Sequence, residues 1–166
     1  MTVAILGAGV MGETVLSGLV RSGRSPADLV VSERRPERAA ELRERYGVDV
    51  VNNVQAVTRA DTVMLVVKPQ DMADVLDEIA PVVRPGQLVV SLAAGITTAS
   101  IEARLPDKTA VVRVMPNTPA LVDEGMAAIS RGTHCDEEHL VEAEDLMRAT
   151  ARGYSRAGER PDLREQ

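Results

Sequence analysis

The stretch Val3-Ala4-Ile5-Leu6-Gly7-Ala8-Gly9-Val10-Met11-Gly12 decides the fold of this chain. An unbroken apolar run that ends in glycine suits a strand buried on both faces. The glycines then fall at the spacing G-x-G-x-x-G. Val15, Leu16, Leu19 and Val20 follow at helical intervals, and Gly23 closes the segment. Each glycine has its own reason. Gly7 permits a tight turn. Gly9 carries no side chain, so a pyrophosphate can approach the backbone. Gly12 lets the helix lie close to the strand. The start of that helix offers free N–H groups and the positive end of its dipole to an anion. Strand, glycine turn and helix in this order therefore read as a dinucleotide site that takes in Ala8, Val10 and Met11 with the glycines.

The same alternation continues along the chain. Leu29-Val30-Val31-Ser32 reads as a second strand, and Pro36 to Tyr46 as a charged helix that buries Ala39, Ala40 and Leu42. Val48 to Val51 is a short third strand and Thr62 to Val67 a strongly apolar fourth, stopped by Lys68-Pro69. Met72, Val75, Leu76 and Ile79 make the stripe of the next helix. Further strands are predicted at Leu88 to Leu92, Ala110 to Met115 and Gly125 to Ser130. A short helix spans Ile101 to Leu105, and a longer one runs from Asp136 to about Thr150 with Asp136 as its N-cap. Strands alternating with helices imply an α/β, Rossmann-like, doubly wound and mostly parallel sheet with helices on both faces. Residues 1–150 are expected to form that NAD(P)-binding domain. Residues 151–166 differ in composition, with Arg152, Arg156, Arg160 and Arg164 among few apolar residues, and read as an aberrant, disordered tail.

Composition narrows the function. The 166 residues are 45% hydrophobic and 27% charged, ordinary for a folded domain. Lys and Arg total 19 against 25 Asp and Glu, a net charge of −6. An acidic chain without a basic block is a poor ligand for nucleic acid, where phosphate neutralisation supplies most of the affinity. Phe and Trp are absent, so aromatic platforms for bases are nearly excluded. The single cysteine makes no internal disulfide, which fits a reducing, cytoplasmic setting. No apolar stretch approaches the roughly 20 residues that span a membrane. His134, Cys135 and His139 lie close together, but the set lacks a fourth ligand, so no metal is expected. Cys135 has no activating neighbours to make it a nucleophile.

The residues after the second strand speak to the adenosine end of the ligand. Glu33 lies about 20 residues beyond Gly12, where an acid binds a ribose 2′-hydroxyl in NAD sites. Yet Ser32, Arg34 and Arg35 flank it. A hydroxyl and guanidinium donors suit a 2′-phosphate. The two signals conflict, and the density of donors favours NADPH, with NADH as the other choice.

Three further strings stand out: Val66-Val67-Lys68-Pro69, Ser91-Leu92-Ala93-Ala94-Gly95-Ile96-Thr97 and Val114-Met115-Pro116-Asn117-Thr118-Pro119. With the glycine loop, and in this order, they resemble the pyrroline-5-carboxylate reductase family, from Thr2 to about Ala151. The resemblance implies reduction of 1-pyrroline-5-carboxylate to L-proline by hydride transfer from NADPH. It also implies roles at matching positions. Gly7 to Gly12 hold the pyrophosphate, Ser32 and Arg34 approach the 2′-phosphate, and Asn53 faces the adenosine ribose. Val67, Lys68 and Pro69 line the nicotinamide side, as do Ala93, Ala94 and Gly95. Asn117 lies in the loop beside the reacting ring. No residue is singled out as catalytic, and Lys68 and Asn117 are the nicotinamide-side candidates.

The resemblance also implies a further helical domain that forms a homo-oligomer and supplies a Ser/Gly-rich substrate loop. This sequence holds no such string, so the chain is expected to be truncated, weakly active or inactive by itself, and doubtful as an oligomer. One explanation is a frameshift near Gly153. A shifted frame reads Val-Ile-Arg-Val-Pro-Glu-Ser-Asp-Leu, which resembles the family's next strand. A non-catalytic dinucleotide-binding module and another β-hydroxyacid-dehydrogenase-like reductase are the alternatives.

Overall fold

A computed structural model describes residues 1–116, 126–149 and 153–156. Its centre is an eight-stranded sheet. The first six strands are β1 (Val3–Leu6), β2 (Leu29–Ser32), β3 (Asp49–Val51), β4 (Thr62–Leu65), β5 (Leu88–Ser91) and β6 (Ala110–Pro116). β7 (Met126–Arg131) and β8 (Gly153–Arg156) complete it. The order across the sheet is β3-β2-β1-β4-β5-β6-β7-β8. β1 to β6 are mutually parallel, β7 runs antiparallel to β6, and β8 runs parallel to β7.

The chain builds outward from β1 to β3, then crosses back and lays β4 on the other flank of β1. That reversal opens a crevice beyond the carboxyl ends of β1 and β4, the place where open α/β sheets bind ligands. In-register pairing puts Leu6, Ser32, Leu65, Ser91 and Arg113 in one row at that edge.

The helices are α1 (Val10–Arg21), α2 (Pro36–Tyr46), α3 (Asn53–Arg59), α4 (Met72–Ile79), α5 (Thr98–Glu102) and α6 (Glu137–Met147). Strand residues alternate between two cores because successive side chains point to opposite faces. Val3 and Ile5 join Val15 and Leu16 of α1, Leu42 of α2 and Leu146 of α6. Ala4 and Leu6 join Val57 of α3, Leu76 of α4 and Ile101 of α5. β1, β2, β4 and β5 are buried along their whole length, which explains why they carry no polar alternation. Gln87 is one of the few buried polar residues among those described, and it is satisfied. Its amide donates to the carbonyls of Val57 at 2.8 Å and Ala60 at 2.7 Å. Among the described residues no helix is long and apolar enough to cross a membrane.

Two features depart from the sequence reading. α3 was not expected. Asn52 opens it with a capping box, accepting from the Gln55 N–H at 2.8 Å while the Gln55 side chain accepts from the Asn52 N–H at 3.3 Å. The second departure lies in the segment read as a disordered tail, of which only residues 153–156 are described. Gly153–Arg156 form β8 on the outer side of β7. An unpaired strand edge presents a row of backbone donors and acceptors, and pairing there depends little on side-chain pattern. Asn117 and the loop after β6 lie outside the described residues, as do residues 157–166.

Candidate dinucleotide site

The glycine loop leaves β1 at its carboxyl end and enters α1. Gly7 adopts φ +101°, a conformation that side-chain-bearing residues rarely take. A Cβ there would sit 2.8 Å from the Val66 carbonyl oxygen, so Gly7 also lets the β1 and β4 ends approach. A Cβ on Gly12 would lie 2.0 Å from the Gly7 carbonyl oxygen, so only glycine lets α1 start this close to the turn. Gly9 is different in kind. Its φ of −74° and ψ of −160° suit any residue, and an added Cβ would meet nothing within 4 Å. Neither strain nor protein packing explains glycine at this position. The open space lies over the first turn of α1, where no side chain caps the helix. The first N–H groups of a helix have no intrahelical partners. Here they border open space that a methyl group on Gly9 would enter, the kind of helix start that can receive an anion.

A cleft of about 630 Å³ extends from this loop. It brings Gly7, Ala8, Gly9 and Val10 together with Ser32, Arg34, Asn53, Val67 and Lys68, as the sequence predicts. Ser32 is the last residue of β2 and Asn53 the first of α3. Their side chains meet, with the Ser32 hydroxyl donating to Asn53 Oδ1 at 2.5 Å. Asn53 Nδ2 in turn donates to Glu78 of α4 at 2.7 Å, which fixes the amide across two helices.

Glu33 does not face the cleft as a free acid. Its carboxylate accepts from the Arg34 N–H at 2.7 Å and from the Arg35 guanidinium at 2.8 Å. Burial works to raise its pKa, but the Arg35 side chain and these N–H donors outweigh it and hold the carboxyl below the ordinary value. Among the described residues the side chains of Arg34 and Lys68 have no hydrogen-bond or ion-pair partner, and both line the cleft. The site therefore offers two uncommitted cations, Arg34 and Lys68, while Glu33 is engaged by its own loop and Asp71 and Asp74 also line the cleft.

The other predicted residues fall elsewhere. Met11 packs against the core under α1, and Gly12 is buried. Pro69 begins a 3₁₀ turn to Asp71, whose N–H bonds the Lys68 carbonyl at 2.9 Å. Ala93, Ala94 and Gly95 follow β5, two strands from β1, and do not line this cleft. Ala93 packs in the α4 side of the core, Ala94 is exposed, and Gly95 turns the chain at φ +75°. The Cys135 thiol donates to the Val111 carbonyl at 2.9 Å, and burial raises its pKa. His139 closes a capping box with Asp136 at the start of α6.

A network behind the loop was not anticipated. Glu13, one turn into α1, accepts from Tyr46 Oη at 2.7 Å, from Arg45 at 2.5 Å and from Arg38. Arg38 Nε also donates to the Ala8 carbonyl at 3.1 Å. The Tyr46 hydroxyl and the two guanidiniums hold the Glu13 carboxyl at about 2, against burial that works the other way. The partners are some 25 to 33 residues apart, so no local pattern announces them.

Comparison with known proteins agrees with this geometry. Residues 2–95 match the family model described as NADP oxidoreductase, coenzyme F420-dependent. The chain belongs to this family. Within it, a pyrroline-5-carboxylate reductase from Corynebacterium melassecola is 41% identical over 150 residues, 88% of this chain and 56% of that protein. A solved pyrroline-5-carboxylate reductase from Coxiella burnetii superposes with a TM-score of 0.88 at 31% identity, over 95% of this chain and 59% of its own. The fold also superposes on a Plasmodium falciparum pyrroline carboxylate reductase with NADP bound. That match has a TM-score of 0.76 at 19% identity and covers 93% of this chain and 57% of that one. The chain spans about half the length of the curated relatives it matches. The family is one of NAD(P)-dependent oxidoreductases, and the fold is the Rossmann-like one of its solved relatives.

Proposed function

We propose that this chain binds NADPH and serves the reduction of the C=N bond of 1-pyrroline-5-carboxylate, giving L-proline. The observation that carries the cofactor part is the empty space at Gly9 above the uncapped start of α1, at the crevice between β1 and β4. Identity of about 40% to pyrroline-5-carboxylate reductases supports the substrate part. A reduced nicotinamide supplies the hydride for the imine carbon.

The residues of this chain bind and orient. The first N–H groups of α1 take the diphosphate, with the helix dipole adding to each hydrogen bond. Arg34 is placed to pair with a 2′-phosphate, and the Ser32 hydroxyl beside it becomes a second donor once it turns from Asn53 Oδ1 to the ligand. Glu33 is neutralised by Arg35 and by backbone N–H groups, so it does not repel that phosphate. This pattern favours NADPH over NADH. Asn53, locked between Ser32 and Glu78, borders the ribose. Val67 and Lys68 form the opposite wall and carry the cofactor toward the reacting end. The imine is the small-molecule partner, and a reducing cytoplasmic setting accords with the free Cys135.

The test uses the 166-residue chain, NADPH and 1-pyrroline-5-carboxylate, following absorbance of the reduced cofactor. NADPH oxidation that requires the imine supports both parts. Saturable NADPH binding without oxidation supports the cofactor part and counts against the substrate part for this chain. A folded chain that binds no NADPH overturns the proposal.

A further inference from the structure

We infer that Arg38 is a positioning residue for the diphosphate loop: it holds the Ala8 carbonyl, and so aims the Gly9 N–H at the ligand, while Glu13 holds Arg38. The inference rests on the dinucleotide site proposed above and deepens it.

The geometry is specific. Arg38 projects from α2 and reaches the loop with Nε, 3.1 Å from the Ala8 carbonyl oxygen. The Ala8–Gly9 peptide is trans, and in a planar trans peptide the C=O and N–H point in opposite directions. Drawing the carbonyl toward α2 therefore turns the Gly9 N–H away from α2. On that side, past the end of β4, lies the wall of the cleft formed by Val67 and Lys68, opposite the wall formed by Ser32 to Arg35. Neighbouring glycine at Gly9 and positive φ at Gly7 leave this peptide unusually free to rotate. A rotated peptide would present the carbonyl dipole to the anion instead of the N–H. Something must therefore fix the plane, and Arg38 is the only described side chain that bonds to it.

Arg38 is itself held. Its terminal nitrogens pair with Glu13 of α1 and with Glu41 at 3.2 Å, one turn on in α2. Glu13 is steadied by Tyr46 and Arg45 from the far end of α2. The same bonds neutralise an anion that stands one turn from the phosphate cradle. Arg38, Arg45 and Tyr46 thus tie α2 to α1 through Glu13, and the Arg38 guanidinium extends that tie to the loop.

The experiment compares wild type with Arg38→Met, which keeps an apolar stem and removes every donor, and Arg38→Lys, which keeps the charge. NADPH affinity is measured by fluorescence titration, and amide shifts are followed by NMR at saturating NADPH. The expected result is an affinity loss on the order of tenfold in Arg38→Met, the scale of one charge-assisted hydrogen bond. In wild type the Gly9 amide proton moves downfield on binding. In Arg38→Met it moves less than half as far, while the Ser32 and Asn53 amides move as in wild type. Arg38→Lys gives intermediate values and serves alone if Arg38→Met does not fold. An unchanged Gly9 shift, or equal loss of the Gly9, Ser32 and Asn53 shifts, overturns the inference, the second by showing a merely structural role. Failure of wild type to bind NADPH is a distinct outcome, which overturns the site assignment and the inference with it.

Discussion

Replacing Gly9 by alanine separates ligand space from folding. Gly9 has φ −74° and ψ −160°, and its added Cβ would meet no protein atom within 4 Å. A glycine-to-alanine change at an unstrained position stabilises by about 0.4–1 kcal/mol by restricting the unfolded chain, but Gly9 is the N-cap of α1, where alanine costs a similar amount. For a domain of this size the two leave Tm within roughly 3 °C of wild type. The methyl group, however, enters the space above the first turn of α1. Losing even one backbone bond to a charged phosphate costs about 1.5–3 kcal/mol. NADPH affinity should therefore fall by roughly 10-fold to 150-fold. Gly12→Ala is the control. Its Cβ would stand 2.0 Å from the Gly7 carbonyl, so α1 must move off the turn. Such overpacking costs about 3 kcal/mol, a fall in Tm of roughly 6–12 °C. Circular dichroism melts and fluorescence titrations on both variants give the answer. If Gly9→Ala binds NADPH like wild type, or melts as low as Gly12→Ala, the space at Gly9 is not a ligand site.

The remaining predictions concern the cleft, the network behind it and the elements that build them. Ser32→Ala with Arg34→Ala should lower the ratio of NADPH to NADH affinity by tenfold or more, and an unchanged ratio would show that these residues do not read the 2′-phosphate. Glu13 has its pKa lowered from 4.5 to about 2 in the folded chain, so it stabilises above the ordinary carboxylate range, and this contribution is lost as pH falls from about 4.5 to 2. The stability gap between wild type and Glu13→Gln in urea should therefore be full at pH 6 and narrow below pH 4.5, and a gap that widens on acidification would contradict the network. Asn52→Ala removes the α3 capping box and should cost about 1 kcal/mol in urea titrations, whereas no cost would mean that α3 needs no cap. Leu65→Ala empties a fully buried site in β4 and should cost about 2–5 kcal/mol, with a smaller loss showing that the sheet centre collapses around it.

Much of this was legible in sequence because the controlling physics is local. β1, β2, β4 and β5 are buried on both faces, so each shows as an unbroken apolar run closed by a turn residue. The glycine spacing was legible because Gly7 and Gly12 answer contacts made within a few residues or with the adjacent strand, and Gly9 stands between them over open space. α3 was hidden because its run is short and its apolar face only Ala56 and Val57, yet Asn52 and Gln55 spelled out its start. β8 was hidden for another reason. Tyr154 and Ser155 lie among arginines and glycines, and their pairing with β7 is a matter of a free edge rather than of pattern. Sequence also left open how Glu33 is used. The answer depends on its side chain folding back onto Arg35, a rotamer choice that composition does not reveal. The Arg38 bond to Ala8 joins residues 30 apart, and no periodicity encodes it.

The central claim is that this chain carries a working dinucleotide site with a preference for the 2′-phosphate. Parallel fluorescence titrations of the 166-residue chain with NADPH and NADH test it most directly. Saturable binding at one site per chain, with NADPH the tighter ligand, is the predicted result. A folded chain that saturates with neither nucleotide would contradict the site, and tighter binding of NADH would contradict the roles given to Ser32 and Arg34.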